Sequence, residues 1–109
     1  MQSPLTPGAA ELIARRFLAL SDPTRLRIID LLRDRGEASV REITEALGAS
    51  QQNVSKHLAT LHSEGFVSRR KQGTSSIYAI SDPAVLDLCE QVCGGIEAQL
   101  AALGAALKS

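Results

Sequence analysis

Two short amphipathic stretches meet across Gly48-Ala49-Ser50, and a connection that short allows their helices few arrangements. Ser39 and Glu42 have the spacing of a capping box and open a helix through Ile43 and Leu47, which Gly48 stops. Ser50 caps the next helix, whose apolar stripe Val54, Leu58 and Leu61 steps by four and three before Gly65 ends it. Two helices joined by a turn of about three residues containing glycine form a helix-turn-helix.

After Gly65 the period changes. Phe66–Arg70 and Ser76–Ile80 are rich in β-forming residues and flank Lys71-Gln72-Gly73-Thr74-Ser75, the pattern of a hairpin with a cationic, hydroxyl-rich loop. Upstream, Leu12, Ile13, Phe17 and Leu20 recur at helical spacing from Ala9. Asp22-Pro23 then caps and starts a helix carrying Leu26, Ile28, Ile29, Leu31 and Leu32 as far as Arg35-Gly36. Asp82-Pro83 repeats the device and opens a final helix with a stripe of Val85, Cys89, Val92, Ile96, Leu100, Leu103 and Leu107. So long a seam exceeds what a small core can cover, and a partner chain is the simplest cover. The expected fold is mainly α with a small β-hairpin: a winged helix-turn-helix in the order α-α-α-α-β-β-α, dimeric through its terminal helices. Residues 1–8 are expected to form a flexible arm and 9–109 one domain, as a length of 109 suggests.

Only three residues are aromatic (Phe17, Phe66 and Tyr78), so Leu, Ile, Val and Ala must build the core. Met1–Gly8 shows no basic segment leading into an apolar run, and no stretch nears the roughly 18–20 apolar residues of a membrane span. The cytoplasm is the expected compartment, and two cysteines four apart suit reducing conditions. Net charge is zero but unevenly placed. Ser50–Tyr78 holds Lys56, Arg69, Arg70 and Lys71 against Glu64, whereas Asp82–Ser109 holds Asp82, Asp87, Glu90 and Glu97 against Lys108. A basic face for phosphate is therefore available on a neutral protein.

With Val54, Leu58 and Leu61 facing inward, Gln51, Gln52, Asn53, Ser55, Lys56 and Thr60 lie off the buried face, and all but Thr60, together with the cap Ser50, are the groups expected to meet double-stranded DNA. Gln and Asn can bond adenine bidentately, and Ser can bond either base edge. Arg69, Arg70, Lys71, Gln72 and Thr74 would hold the phosphate backbone, positioning the protein without reading sequence. His57 has three open readings: phosphate contact, packing at the helix edge, or metal ligation. Arg25 and Arg27 either buttress the core or reach phosphate, and His62 is expected in solvent. No phosphate-cradling glycine loop, H-E-x-x-H or recognisable Ser/His/Asp set points to an enzyme. The zero net charge keeps one alternative open, a winged protein-interaction module acting with a partner protein.

Leu18-Ala19-Leu20-Ser21-Asp22-Pro23-Thr24-Arg25-Leu26-Arg27-Ile28 closely resembles the opening of the ArsR/SmtB group of bacterial repressors. Gln52-Asn53-Val54-Ser55-Lys56-His57-Leu58 looks like that family's reading helix, and Gly65-Phe66-Val67 through Tyr78 like its wing. The resemblance implies a homodimer on an inverted-repeat operator, repressing transcription until an inducer binds, commonly a metal ion or a thiol-reactive species. It implies a dimer interface with Val85, Cys89, Val92, Ile96, Leu100 and Leu103. The family's zinc-type site on the last helix, Asp-x-His-x10-His-x2-Glu/His, falls here on Asp82, Ala84, Gly95 and Ala98, of which three cannot bind metal. Its Cys-x-Cys site on the third helix falls in Val40–Glu45, which has no cysteine. No cofactor is certain, and nickel, zinc, cobalt or cadmium would need another site. Cys89 and Cys93 share a helix face and remain open to three roles: packing, thiol sensing, or soft-metal binding completed from elsewhere.

Overall fold

The computed structural model describes residues 5–108. Five helices and three strands follow in the order α1 (Pro7–Leu20), α2 (Pro23–Arg35), β1 (Glu37–Ser39), α3 (Val40–Leu47), α4 (Gln51–Ser63), β2 (Val67–Gln72), β3 (Ser75–Ile80) and α5 (Ala84–Lys108). The capping residues act as their sequence positions suggest. The Asp22 carboxylate accepts from the Arg25 amide at 3.0 Å, and Ser50 Oγ accepts from the Asn53 amide at 3.1 Å. Ser39 and Glu42 exchange both bonds of a capping box, at 2.9 and 3.1 Å. Gly48 closes α3 at φ 65°, a left-handed conformation that costs glycine little, and so sets the sharp turn into α4.

Three boundaries differ from the sequence reading. Helix α1 starts at Pro7, inside the stretch assigned to the arm, because Thr6 Oγ1 caps the Ala9 amide at 3.1 Å; residues 1–4 of that arm lie outside the described residues. Strand β1 was not expected. Glu37-Ala38-Ser39 has little β-propensity, and its pairing is a backbone event: Glu37 opposite Ala79, Ala38 opposite Tyr78, Ser39 opposite Ile77. The hairpin is therefore one side of an antiparallel sheet ordered β1-β3-β2. Its loop is also shorter than expected. Lys71 and Gln72 pair with Ser76 and Ser75, leaving Gly73-Thr74 as a two-residue turn. Gly73 has φ 63° and, among the described residues, no other residue type has positive φ, the pattern of a type II′ hairpin turn.

The core gathers Ile28, Ile29 and Leu32 of α2, Ile43 of α3, and Val54, Leu58 and Leu61 of α4, all no more than 2% exposed. Ala38, Phe66, Val67 and Tyr78 close it on the sheet side. Helix α5 joins through its first turns only. Val85 is buried at 2%, Leu86, Leu88 and Cys89 are half-buried, and residues 90–103 are exposed. Val85 therefore belongs to the protomer's own core and not to the partner seam, because the stripe on α5 crosses from core to open surface at Cys89. The apolar face of α1 is likewise split: Ala19 and Leu20 are buried, whereas Leu12, Phe17 and Leu18 are more than half exposed.

Candidate nucleic-acid interface

The buried stripe of α4 turns Gln51, Gln52, Asn53, Ser55 and Lys56 outward, and all five are exposed, as is the cap Ser50. Thr60 is half-buried and donates to the Lys56 carbonyl at 3.4 Å. Helix α4 contains no carboxylate, and from Ser50 to Ser81 the one acidic residue is Glu64. Glu64 is itself engaged, 2.9 Å from Arg15 Nε. The first turns of α4 thus offer amide and hydroxyl groups with no carboxylate among them.

The wing's cations divide by strand alternation. Arg70 reaches across β3 to Glu37, with Nη1 and Nη2 each 3.1 Å from a carboxylate oxygen, and also donates to Gln72 Oε1 at 3.2 Å. Arg69 and Lys71 point to the other face and, like Lys56, have no ion pair among the described residues. Arg70, one of the expected phosphate contacts, is thus held by β1, the strand that sequence reading missed. Thr74 is exposed in the hairpin turn.

His57 is turned inward, its side chain 12% exposed. Nδ1 lies 3.0 Å from Arg25 Nη1 and 3.8 Å from Asp22 Oδ2. Because guanidinium only donates, Nδ1 accepts, which places the neutral ring's proton on Nε2. Of the readings open to His57, packing at the helix edge is the one this geometry supports. Arg25 also donates from Nε to the Ala19 carbonyl at 2.6 Å, so it buttresses the core; Arg27 is exposed and has no partner among the described residues. His62 is exposed, as expected.

A second arginine ties α1 to both ends of the hairpin. Arg16 donates to the Glu64 carbonyl and the Asp82 carboxylate, each at 2.9 Å, and its guanidinium lies 4.5 Å from the Phe66 ring centroid. Sequence reading did not single it out, since nothing in the local pattern shows what an arginine on α1 will meet 48 and 66 residues later.

At the other end of the molecule's chain, α5 continues from Glu90 to Lys108 with Val92, Ile96, Leu100, Leu103 and Leu107 each more than half exposed. Phe17, Leu26, Ile29, Cys89, Val92 and Ile96 border an open apolar groove of about 630 Å³ between α1, α2 and α5. Cys89 is half-buried there, and burial raises its thiol pKa above the ordinary value. Cys93 is exposed; its thiol donates to Glu97 Oε1 at 3.6 Å, and the Glu97 charge raises its pKa too. No three His, Cys, Asp or Glu side chains among the described residues come together to hold a metal ion. No helix among them is long and apolar enough to cross a membrane.

Comparison with known proteins agrees with this geometry. The family model described as "Bacterial regulatory protein, arsR family" matches residues 22–69, from the cap of α2 into β2. A probable mercury resistance operon repressor of Streptomyces lividans is 45% identical over 75 residues, covering 69% of this chain and 59% of its own length. The arsenical resistance operon repressor of Escherichia coli is 43% identical over 65 residues, 60% of this chain and 56% of that protein. The chain thus spans less than two thirds of either relative. A homodimeric winged helix-turn-helix DNA-binding domain from Mycobacterium bovis, described as a possible ArsR-family transcriptional regulator, superposes with a TM-score of 0.75 at 33% identity, covering 89% of both chains. The chain is a winged helix-turn-helix protein of the arsR family of bacterial regulatory proteins, which are transcriptional regulators.

Proposed function

We propose that the chain represses transcription in the cytoplasm as a homodimer, each protomer placing α4 in a major groove of an inverted-repeat operator. The observation that carries this reading is the exposed face of Gln51, Gln52, Asn53, Ser55 and Lys56 on a helix that contains no carboxylate. Gln and Asn supply bidentate base contacts, and Lys56, Arg69 and Lys71 supply phosphate contacts. A second copy is the natural occupant of the α5 face, because an apolar seam from Val92 to Leu107 is otherwise left in water. The Mycobacterium bovis domain that superposes on this chain is itself homodimeric.

The family consists of regulators, and we read this member as a regulator rather than an enzyme. For the inducer we favour a thiophilic metal or metalloid ion. Two relatives are named as mercury and arsenical resistance repressors. The zinc-type donor set does not fit, since Ala84, Gly95 and Ala98 carry no donor atoms.

The test is titration of the reduced protein against inverted-repeat DNA selected from a random pool, at several salt concentrations. A steep fall in affinity with salt, together with one preferred repeat, supports the reading. Absence of binding at low salt overturns it and leaves the protein-partner alternative.

A further inference from the structure

The exposed apolar seams lie on α1 (Leu12, Phe17 and Leu18) and on α5 (Val92 to Leu107), while the groups offered to DNA stand on α4. In a dimer built on those seams, the separation of the two α4 helices depends on the angle between α4 and the seam helices. An operator of two half-sites reads that separation. Packing alone holds α1 weakly, since only Ala19 and Leu20, its last two residues, are buried.

Arg16 supplies a second hold. Its guanidinium grips two elements at once: Nη1 donates to the carbonyl of Glu64, the C-cap of α4, and Nη2 to Asp82 Oδ2, each at 2.9 Å. The other oxygen of Asp82 accepts from the Ala84 amide at 3.1 Å, so the same carboxylate starts α5. The gripped ends are tied to each other as well. Ser81 Oγ donates to the Gly65 carbonyl at 2.8 Å, and the Ser81 amide donates to the Phe66 carbonyl at 3.0 Å. The Arg16 and Asp82 side chains are 43% and 34% exposed, so their ion pair adds little stability. A planar fork holding two acceptors fixes direction instead, which the single ammonium of lysine cannot do.

We propose that Arg16 is a positioning residue that sets which spacing of half-sites the dimer accepts. At 1.5 Å per residue the span from Glu64 to Gln51 is about 20 Å, so a swing of about 10° at the gripped end moves the reading end by about 3.5 Å. That is about one base-pair step. With the fork in place, α4 and the seam helices move as one body, and a repeat lengthened by one base pair misaligns one reading helix. The proposal rests on the homodimeric repressor reading above and adds the residue that makes it selective for spacing.

The experiment compares the full chain with Arg16→Lys, which keeps the charge but not the fork, and with Arg15→Ala, which leaves the fork intact. In the absence of DNA, a nitroxide carried by a non-natural amino acid in place of the exposed Ser55 reports the distance between the two α4 helices by pulsed electron resonance. The distance distribution should be narrow in the parent and in Arg15→Ala and clearly broader in Arg16→Lys, with thermal unfolding and dimer Kd close to the parent's. In the unlabelled proteins, changing the spacer of an inverted repeat by one base pair should cost the parent tenfold or more in affinity, about 1.4 kcal/mol. The same change should cost Arg16→Lys about threefold at most, with base preference inside each half-site unchanged. Equal distance widths, a parent indifferent to spacing, an unchanged spacing penalty or a uniform loss over all spacers overturns the proposal and leaves Arg16 a buttress. A parent that binds no DNA overturns the repressor reading, and the distance widths still judge the clamp; a parent that stays monomeric overturns both.

Discussion

Arg25 Nη1 donates to Nδ1 of His57 at 3.0 Å, so the start of α2 grips α4, the helix proposed to read DNA, from its buried side. The same guanidinium bonds the Ala19 and Leu18 carbonyls, at 2.6 and 3.4 Å, which joins α1, α2 and α4 at one point. Arg25→Ala should lower stability by about 1–3 kcal/mol, the range for orphaning partly buried polar partners. His57→Ala should cost less, since Arg25 keeps its carbonyls. Thermal unfolding of the two variants beside the parent checks the order, and a larger loss for His57→Ala contradicts it.

Asp22 gives this corner a pH dependence. The Arg25 amide, with help from the nearby His57 and Arg25 side chains, holds its carboxyl below the usual carboxylate range. A folded pKa below the unfolded value means stabilisation that is complete above the unfolded value and lost as pH falls through the folded one. Asp22→Asn, which can still cap, should flatten the acid limb of a stability–pH curve below about pH 4. Denaturant midpoints across that limb decide it; an unchanged slope means the cap does not titrate.

The wing should separate Lys71 from Arg70. Lys71→Ala is expected to reduce the slope of log affinity against log salt by about 1 while leaving sequence preference alone. Arg70→Ala should change the slope less, because Glu37 already holds both terminal nitrogens at 3.1 Å. Equal slopes for the two variants would mean that Arg70 leaves Glu37 for phosphate on DNA.

Base reading should reside on α4. Gln51→Ala or Gln52→Ala should relax preference at one base pair of each half-site, costing about 1–3 kcal/mol there. Competition among single-base operator variants reads this directly, and a uniform loss across all sequences would assign the side chain to phosphate instead.

The seam on α5 is tested by Leu100→Glu. Removing one leucine from each side of a symmetric interface costs about 3–6 kcal/mol for the pair, or two to four orders of magnitude in dimer Kd. Sedimentation should show a folded monomer with normal circular dichroism. A dimer that persists would place the interface elsewhere.

Much of this was legible in the chain. The capping residues Asp22, Ser39 and Ser50, the turn at Gly48 and the stripe Val54, Leu58 and Leu61 all act over one or two turns, and all three stripe residues are fully buried. Element order and the outward face of α4 follow from the same local rules. Three other features could not be read that way. Strand β1 exists only because β3 lies beside it, and Arg70 is occupied only because β1 brings Glu37 across. The apolar stripe of α5 is continuous in sequence, yet Val85 belongs to the core and Leu100 to the surface. Periodicity reports that a helix has an apolar face; it does not report what covers that face. Local sequence determined the helices, their ends and the groups offered to DNA, because capping and periodicity act between residues a few positions apart. Which cations stay free, that His57 turns inward, and where α5 leaves the core were decided by tertiary contacts alone, because each depends on residues that meet only once the chain has folded.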